Sequence, residues 1–297
     1  MRHMKFLLLI ALVIMLSSCE NNDTTELPSP SPEQTDSSMS PTGVIEYYTS
    51  KYARTSHAQW NSLMTENMRF KDADNFLNEV DEVIEQILDF VNRTDMLDRV
   101  WNIDVLFIDG ISNSYGGNLS FKKAFFEHDF APIAHEIVHV ILPTINSLSL
   151  LEGFCEYCQD VFGKNPAPKN WGFDIDARAN ALLVWEPDRF EILFPDIGAS
   201  GMSPSTYAND EFHWLSYSFV KYLIDTYGID DFMLIYNASS FNFYDEYKNI
   251  FGQSFEELKA AWRQTVEDYA TPITLEDFNA YKSDLFTAHN YQPEQTK

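Results

Sequence analysis

The chain is predicted to fold as an α+β protein: a small mixed sheet and a buried helix form one lobe, with a mainly helical lobe behind it. Four stretches of the 297-residue sequence carry this expectation. Val100, Ile103, Val105, Leu106, Phe107 and Ile108 make a β-branched and aromatic run closed by Asp109-Gly110, the pattern of a buried strand ended by a turn. Ile133, Ile137, Val140 and Ile141 fall on one face of a helix. Phe212 to Tyr227 is a long aromatic segment stopped by Gly228, and Ser254 with Glu257 three residues later is a capping box opening another helix.

Taken in order, Arg2, His3 and Lys5 precede an uninterrupted apolar run, Phe6 to Leu16. It is too short to span a bilayer as a mature helix but suits the h-region of a secretory signal. The run ends in Leu16-Ser17-Ser18-Cys19, which looks like a bacterial lipobox. Residues 1–19 are therefore expected to be a lipoprotein signal peptide, cleaved before Cys19 with lipid added to that residue. An ordinary signal peptide cut near the same place is the alternative. Residues 20–42 are rich in Ser, Pro, Thr, Asn, Asp and Glu; with so few apolar groups they cannot offset the cost of ordering the chain, and read as a disordered tether. The expectation is an extracytoplasmic protein, lipid-anchored to a bacterial membrane, with residues 43–297 as its domain: an α/β lobe to about residue 160 and a helical lobe after it.

Residues 1–19 hold two basic and no acidic side chains, so the remainder carries 18 basic and 45 acidic residues, a net of −27. Such a surface repels nucleic acid and anionic headgroups, which excludes a nucleic-acid partner and leaves membrane attachment to the lipid. Within the domain, 42 to 68 and 72 to 92 read as packing helices, the second with Phe76, Val80, Val83, Ile84, Ile87 and Phe90 at three- and four-residue spacing. After the strand at 98–109, the turn-rich Asn113-Ser114-Tyr115-Gly116-Gly117-Asn118 leads into a second extended segment, Leu119 to Phe126. Gly163 to Gly201, with Pro166, Pro168, Pro187 and Pro195, reads as irregular and as part of the far wall of a cleft.

The most informative stretch is Ala134-His135-Glu136-Ile137-Val138-His139-Val140-Ile141, an HExxH. At about 100° per residue, His135, Glu136 and His139 fall within a single arc of about 100°, so both imidazoles can grip one ion with the carboxylate beside them. Neutral imidazole nitrogens are good zinc ligands, and a catalytic zinc takes a third protein ligand while keeping one position open for water. Eleven residues after His139 comes Leu150-Leu151-Glu152-Gly153-Phe154-Cys155-Glu156-Tyr157. Glu152 and Glu156 share a helical face, and Gly153, which costs about 1 kcal/mol in a helix against Ala, signals a close approach, expected here to the HExxH helix. Cys155 and Cys158 are the only cysteines besides Cys19. An i,i+3 pair on a helix holds its β-carbons about 5–6 Å apart, beyond disulfide reach, so free buried thiols are expected. Cys155 could at most compete with Glu152 for the ion.

The combination of HExxH with EGxxEY resembles the gluzincin metallopeptidases, the thermolysin-like clan, and its compact bacterial branches in particular. The segments SFVxYLxxxYG and FGxSFEELxxxWR look like the helical half of such enzymes, so the resemblance covers roughly residues 95 to 270. It implies a thermolysin-like catalytic domain with one Zn2+ held by His135, His139 and Glu152. Glu136 is implied as the general base for the attacking water, and Glu156 as the acid that hydrogen-bonds a ligand histidine. It also implies an edge strand that pairs with extended substrate, for which Gly116, Gly117 and Asn118 at the start of 116–122 are the candidates; an ordinary hairpin strand is the alternative. The oxyanion donor in such enzymes comes from the C-terminal half, where His213 and then Tyr217 are the candidates, against packing roles for both. The implied activity is a zinc-dependent metallopeptidase acting on a peptide or protein substrate. The rival readings are a surface lipoprotein that keeps the scaffold and binds peptide or glycan without cutting it, and a purely structural lipoprotein.

Overall fold

The computed structural model describes residues 58–60, 73–96, 103–108, 112–115, 117–122, 131–142, 146–163, 174–201, 210–239, 241–270, 273–280 and 282. The expected signal peptide and tether, with Cys19, lie outside them. Among the described residues no helix is long and apolar enough to cross a membrane.

Four short strands, β1 (Ala58–Trp60), β2 (Ile103–Ile108), β3 (Asn113–Tyr115) and β4 (Asn118–Lys122), form one sheet in the order β1-β2-β4-β3. β1 and β4 flank β2 in parallel, and β3 runs antiparallel to β4, so the sheet is mixed as expected. Two assignments change. Ala58–Trp60 lies inside the segment read as helical but pairs with Ile103–Val105, because the neighbouring strand supplies ladder partners that override a weak local preference. Among the described residues the edge near the hairpin is β3 and not the stretch from residue 116 to 122. Asn118 opens β4, which is hydrogen-bonded to β2 on one side and β3 on the other, and so has no edge to offer a peptide. Gly117 sits in the β3–β4 turn at a φ of +89°, with its carbonyl accepting from the Asp104 N–H at 2.9 Å. Gly116 lies outside the described residues.

Helix α1 (Ala73–Phe90) follows the expected periodicity: Phe76, Leu77, Val80, Val83, Ile84, Ile87 and Leu88 are buried. Phe76 meets Phe121 of β4 edge-on at 5.5 Å, which ties helix to sheet. The HExxH helix is α2 (Ile133–Ile141), and the Glu152 helix is α3 (Leu148–Phe162), whose first turn is capped by Ser147 Oγ accepting from Leu150 N–H at 3.2 Å.

The stretch read as irregular contains two further helices, α4 (Ile175–Trp185) and α5 (Pro187–Leu193). Asp174 caps the first, its carboxylate accepting from Asp176 N–H at 2.8 Å. Pro187 starts the second at a position where its missing N–H costs nothing, so this proline opens a helix and breaks none. Phe190 and Phe194 stack on Trp262, so these rings belong to the core and do not line a cleft.

The aromatic segment is α6 (Asp210–Tyr227), buried all round from Phe212 to Val220. It is followed by α7 (Ile229–Tyr236), α8 (Phe243–Phe251) and α9 (Phe255–Asp268). The capping box forms at α9: Ser254 Oγ accepts from Glu257 N–H at 3.3 Å, and Glu257 Oε2 accepts from Ser254 N–H at 2.7 Å. The chain is thus mostly helical around a small mixed sheet, an α+β fold.

Gly153 does set a close approach, but to α6 and not to α2. A Cβ there would lie 2.4 Å from the Ser216 carbonyl oxygen and 2.7 Å from Val220 Cγ2. The serine pair across this crossing is hydrogen-bonded, Ser149 Oγ to Ser216 Oγ at 2.9 Å. Gly153→Ala should therefore destabilise the fold by about 1–3 kcal/mol through overpacking, despite about 1 kcal/mol of better helix propensity. A fall in the denaturant midpoint checks this; a rise would show that the crossing has slack.

Candidate metal centre

Three helices bring the site together. The short α2 carries His135 and His139 one turn apart, with ring centroids 5.1 Å from each other. Its start, Pro132, provides no side-chain cap. Gln159 of α3 fills part of that role from outside: its Oε1 accepts from the His135 backbone N–H at 3.2 Å, inside the core. The hydrogen bond fixes α2 against α3 at the residue where the site begins.

Glu152 projects from α3 into the same space. Its Oε2 lies 3.5 Å from His135 Nε2, 3.7 Å from His139 Nε2 and 3.7 Å from His213 Nδ1 of α6. These separations are too long for good hydrogen bonds, and this oxygen, in a side chain 2% exposed, has no hydrogen-bond partner. Leaving a buried carboxylate oxygen bare costs about 1–3 kcal/mol or more. A small cation between the oxygen and the two Nε2 atoms would remove that cost. Cys155, one turn beyond Glu152, adds its sulfur 3.5 Å from His139 Nε2. The donor atoms of His135, His139, Glu152 and Cys155 all lie within 4.8 Å of one another, and these four side chains could hold a metal ion.

Glu156 sits behind the donors. Its Oε1 is 3.3 Å from His135 Nδ1 and 3.5 Å from His213 Nδ1. A carboxylate at Nδ1 favours the tautomer with its proton there and leaves Nε2 free for an ion. Burial lowers the His135 pKa, and Glu156, Glu136 and Glu152 together outweigh it, so the value ends above the ordinary one. Burial raises the Glu136 carboxyl; His135 and His139 counter in part, Glu152 adds to the rise, and Ser114 of β3 pulls a little the other way. The net shift is upward, in the direction that suits a proton acceptor near neutral pH.

The remaining candidates divide. His213 is brought into the cluster, its ring nearly parallel to that of His135 at 6.4 Å. Tyr217 is not: its hydroxyl donates to Asp160 Oδ2 at 2.5 Å, two turns along α3 from Glu152, and its ring meets Tyr157 edge-on. A buried hydroxyl takes the nearest acceptor, and the candidate role of Tyr217 as oxyanion donor is withdrawn on this ground. Cys155 and Cys158 are free and buried, as their spacing requires. Sequence reasoning missed Gln159, Ser114 and Asp160. The signal for Gln159 was present, since Glu152, Cys155, Glu156 and Gln159 recur at the spacings of one helical face.

No protein-family model, curated protein or solved structure matches this chain.

Burial pushes the Glu152 carboxyl up, and the imidazoles of His139, His213 and His135 more than reverse this, holding it at about 2 against an ordinary 4.5. A carboxyl depressed in the folded state contributes stability that is fully present above its unfolded value and lost as pH falls through the folded one. The metal-free protein should therefore lose stability between about pH 4.5 and pH 2. Glu152→Gln should flatten that part of the curve, as measured by denaturant unfolding at a series of pH values. An unchanged slope would show that the imidazoles do not hold this carboxylate.

Proposed function

We propose that the protein is an extracytoplasmic zinc metallopeptidase of the thermolysin-like gluzincin type, anchored through lipid on Cys19 and acting on peptide or protein substrates. The observation that carries the reading is the bare Glu152 Oε2 set against His135 Nε2 and His139 Nε2, with Glu136 adjacent on the helix. Two imidazoles and a carboxylate are the donor set of catalytic zinc. Zinc held by His135, His139 and Glu152 would supply a Lewis acid and lower the pKa of water towards about 7.

The chain's own groups then divide the work. Glu136 takes a proton from the attacking water and passes it to the leaving amine, a role its raised pKa favours. Glu156 keeps His135 in the ligating tautomer. Of the two candidates for oxyanion donor, His213 is the one that lies against the site, with its Nδ1 turned to Glu152 and Glu156. An extended peptide would add to the outer side of β3, whose Ser114 is felt by Glu136. The buried thiol of Cys155 favours a second reading, in which the metal is structural and the protein binds peptide or glycan without cutting it.

Glu136→Gln separates the readings. It should keep stoichiometric zinc and lower hydrolysis of a peptide library by at least about a hundredfold, the lower end of what a positioned acid–base group contributes. Chelation should abolish wild-type cleavage and added zinc restore it. Full hydrolysis by the variant would remove Glu136 as base; no chelator-sensitive cleavage by the wild type would favour the binding protein.

A further inference from the structure

We infer that Cys155 is a fourth protein donor to the metal held by His135, His139 and Glu152, so that in the resting protein its sulfur fills the position a hydrolytic site keeps for water. The inference rests on the metal-site reading above and adds to it a ligand and a means of regulation.

The distances carry it. With metal–ligand bonds of about 2.0–2.1 Å to imidazole nitrogen, about 2.0–2.2 Å to carboxylate oxygen and about 2.3 Å to sulfur, a tetrahedral site has nitrogen–sulfur edges of about 3.5 Å and nitrogen–oxygen edges of about 3.4 Å. Cys155 Sγ stands 3.5 Å from His139 Nε2, and Glu152 Oε2 stands 3.5 Å from His135 Nε2 and 3.7 Å from His139 Nε2. All four donor atoms lie within 4.8 Å of one another, so small side-chain adjustments complete the tetrahedron. The sulfur meets the same Nε2 of His139 that faces Glu152. Glu152 and Cys155, three apart on α3, present their donors from one helical face. Cys155 is fully buried, and its sulfur lies within hydrogen-bond distance of the same imidazole nitrogen that would ligate the ion. Cys158, also buried and free, does not belong to the donor group and serves as an internal control.

Binding is a simple exchange. The incoming ion takes the sulfur lone pair, the thiol proton passes to solvent, and nothing is oxidised or reduced. A shell of four protein donors is the closed form typical of structural zinc. Peptide hydrolysis would then require the sulfur to leave, so the sulfur slows cleavage by the resting protein without abolishing it.

Cobalt(II) added alone to the metal-free full-length chain reads the ligand directly. The wild type should bind one equivalent and show both visible d–d bands and an intense sulfur-to-cobalt charge-transfer band in the near ultraviolet. Cys155→Ala should lose the charge-transfer band, keep the d–d bands, and bind cobalt more weakly by more than about tenfold, the least that losing even an outer partner costs. Cys158→Ala should match the wild type. A wild-type spectrum with d–d bands alone, or a charge-transfer band surviving in Cys155→Ala, would overturn the assignment. No cobalt uptake by any of the three would overturn it together with the metal site. With zinc loaded, Cys155→Ala should cleave peptide severalfold faster than the wild type. If neither cleaves while the wild-type charge-transfer band is present, the sulfur ligand stands and the peptidase reading falls.

Discussion

Glu152 places a carboxylate in the interior of a helical protein and leaves one of its oxygens without a hydrogen bond. Burial on that scale would ordinarily protonate the group, yet three imidazole rings, two from α2 and one from α6, hold it ionised. Each ring has to come within 4 Å of a single oxygen, so the three helices cannot shift independently. The packing around the site follows from that requirement. Gly153 lets α3 and α6 close to backbone contact beside Glu152, and the Ser149–Ser216 pair satisfies polar groups in the same crossing. Gln159 caps α2 from α3 and so sets the height of His135.

The same face of α3 therefore does three jobs at successive positions. Glu152 and Cys155 bring donors, Glu156 orients two histidines, and Gln159 holds the helix that carries one of them. Tyr217 and Asp160 continue the face beyond the site as a buried hydrogen bond, with burial and the neighbouring carboxylate keeping the phenol well above its ordinary pKa. That pair anchors α6 to α3 one turn from His213. A residue one turn from a candidate metal site can thus belong entirely to its support, and spacing alone does not tell the two cases apart.

Much of the site was legible because helical geometry is local. HExxH fixes its own relative orientation within one turn, and the i,i+4 pair Glu152 and Glu156 does the same. The capping box at Ser254, the aromatic helix ended by Gly228 and the buried strand from Ile103 were readable for similar reasons. The misreadings are all matters of tertiary pairing. Ala58–Trp60 is a strand only because Ile103–Val105 lies beside it. Asn118 is interior because the hairpin docks by its second strand. Gly153 faces α6 because the two helices cross there, which no spacing in the chain records. Pro187 looked like a breaker and is a helix start, a distinction that depends on which residues follow it.

Whether two helices really deliver their side chains to one ion can be tested by locating the ion. In crystals of the zinc-loaded protein, anomalous scattering recorded at the zinc edge should give a single strong peak among these side chains. It should lie about 2.0–2.2 Å from His135 Nε2, His139 Nε2 and a Glu152 oxygen. A zinc peak found only among the surface carboxylates of this strongly acidic chain, with Glu152 out of bonding range, would contradict the account.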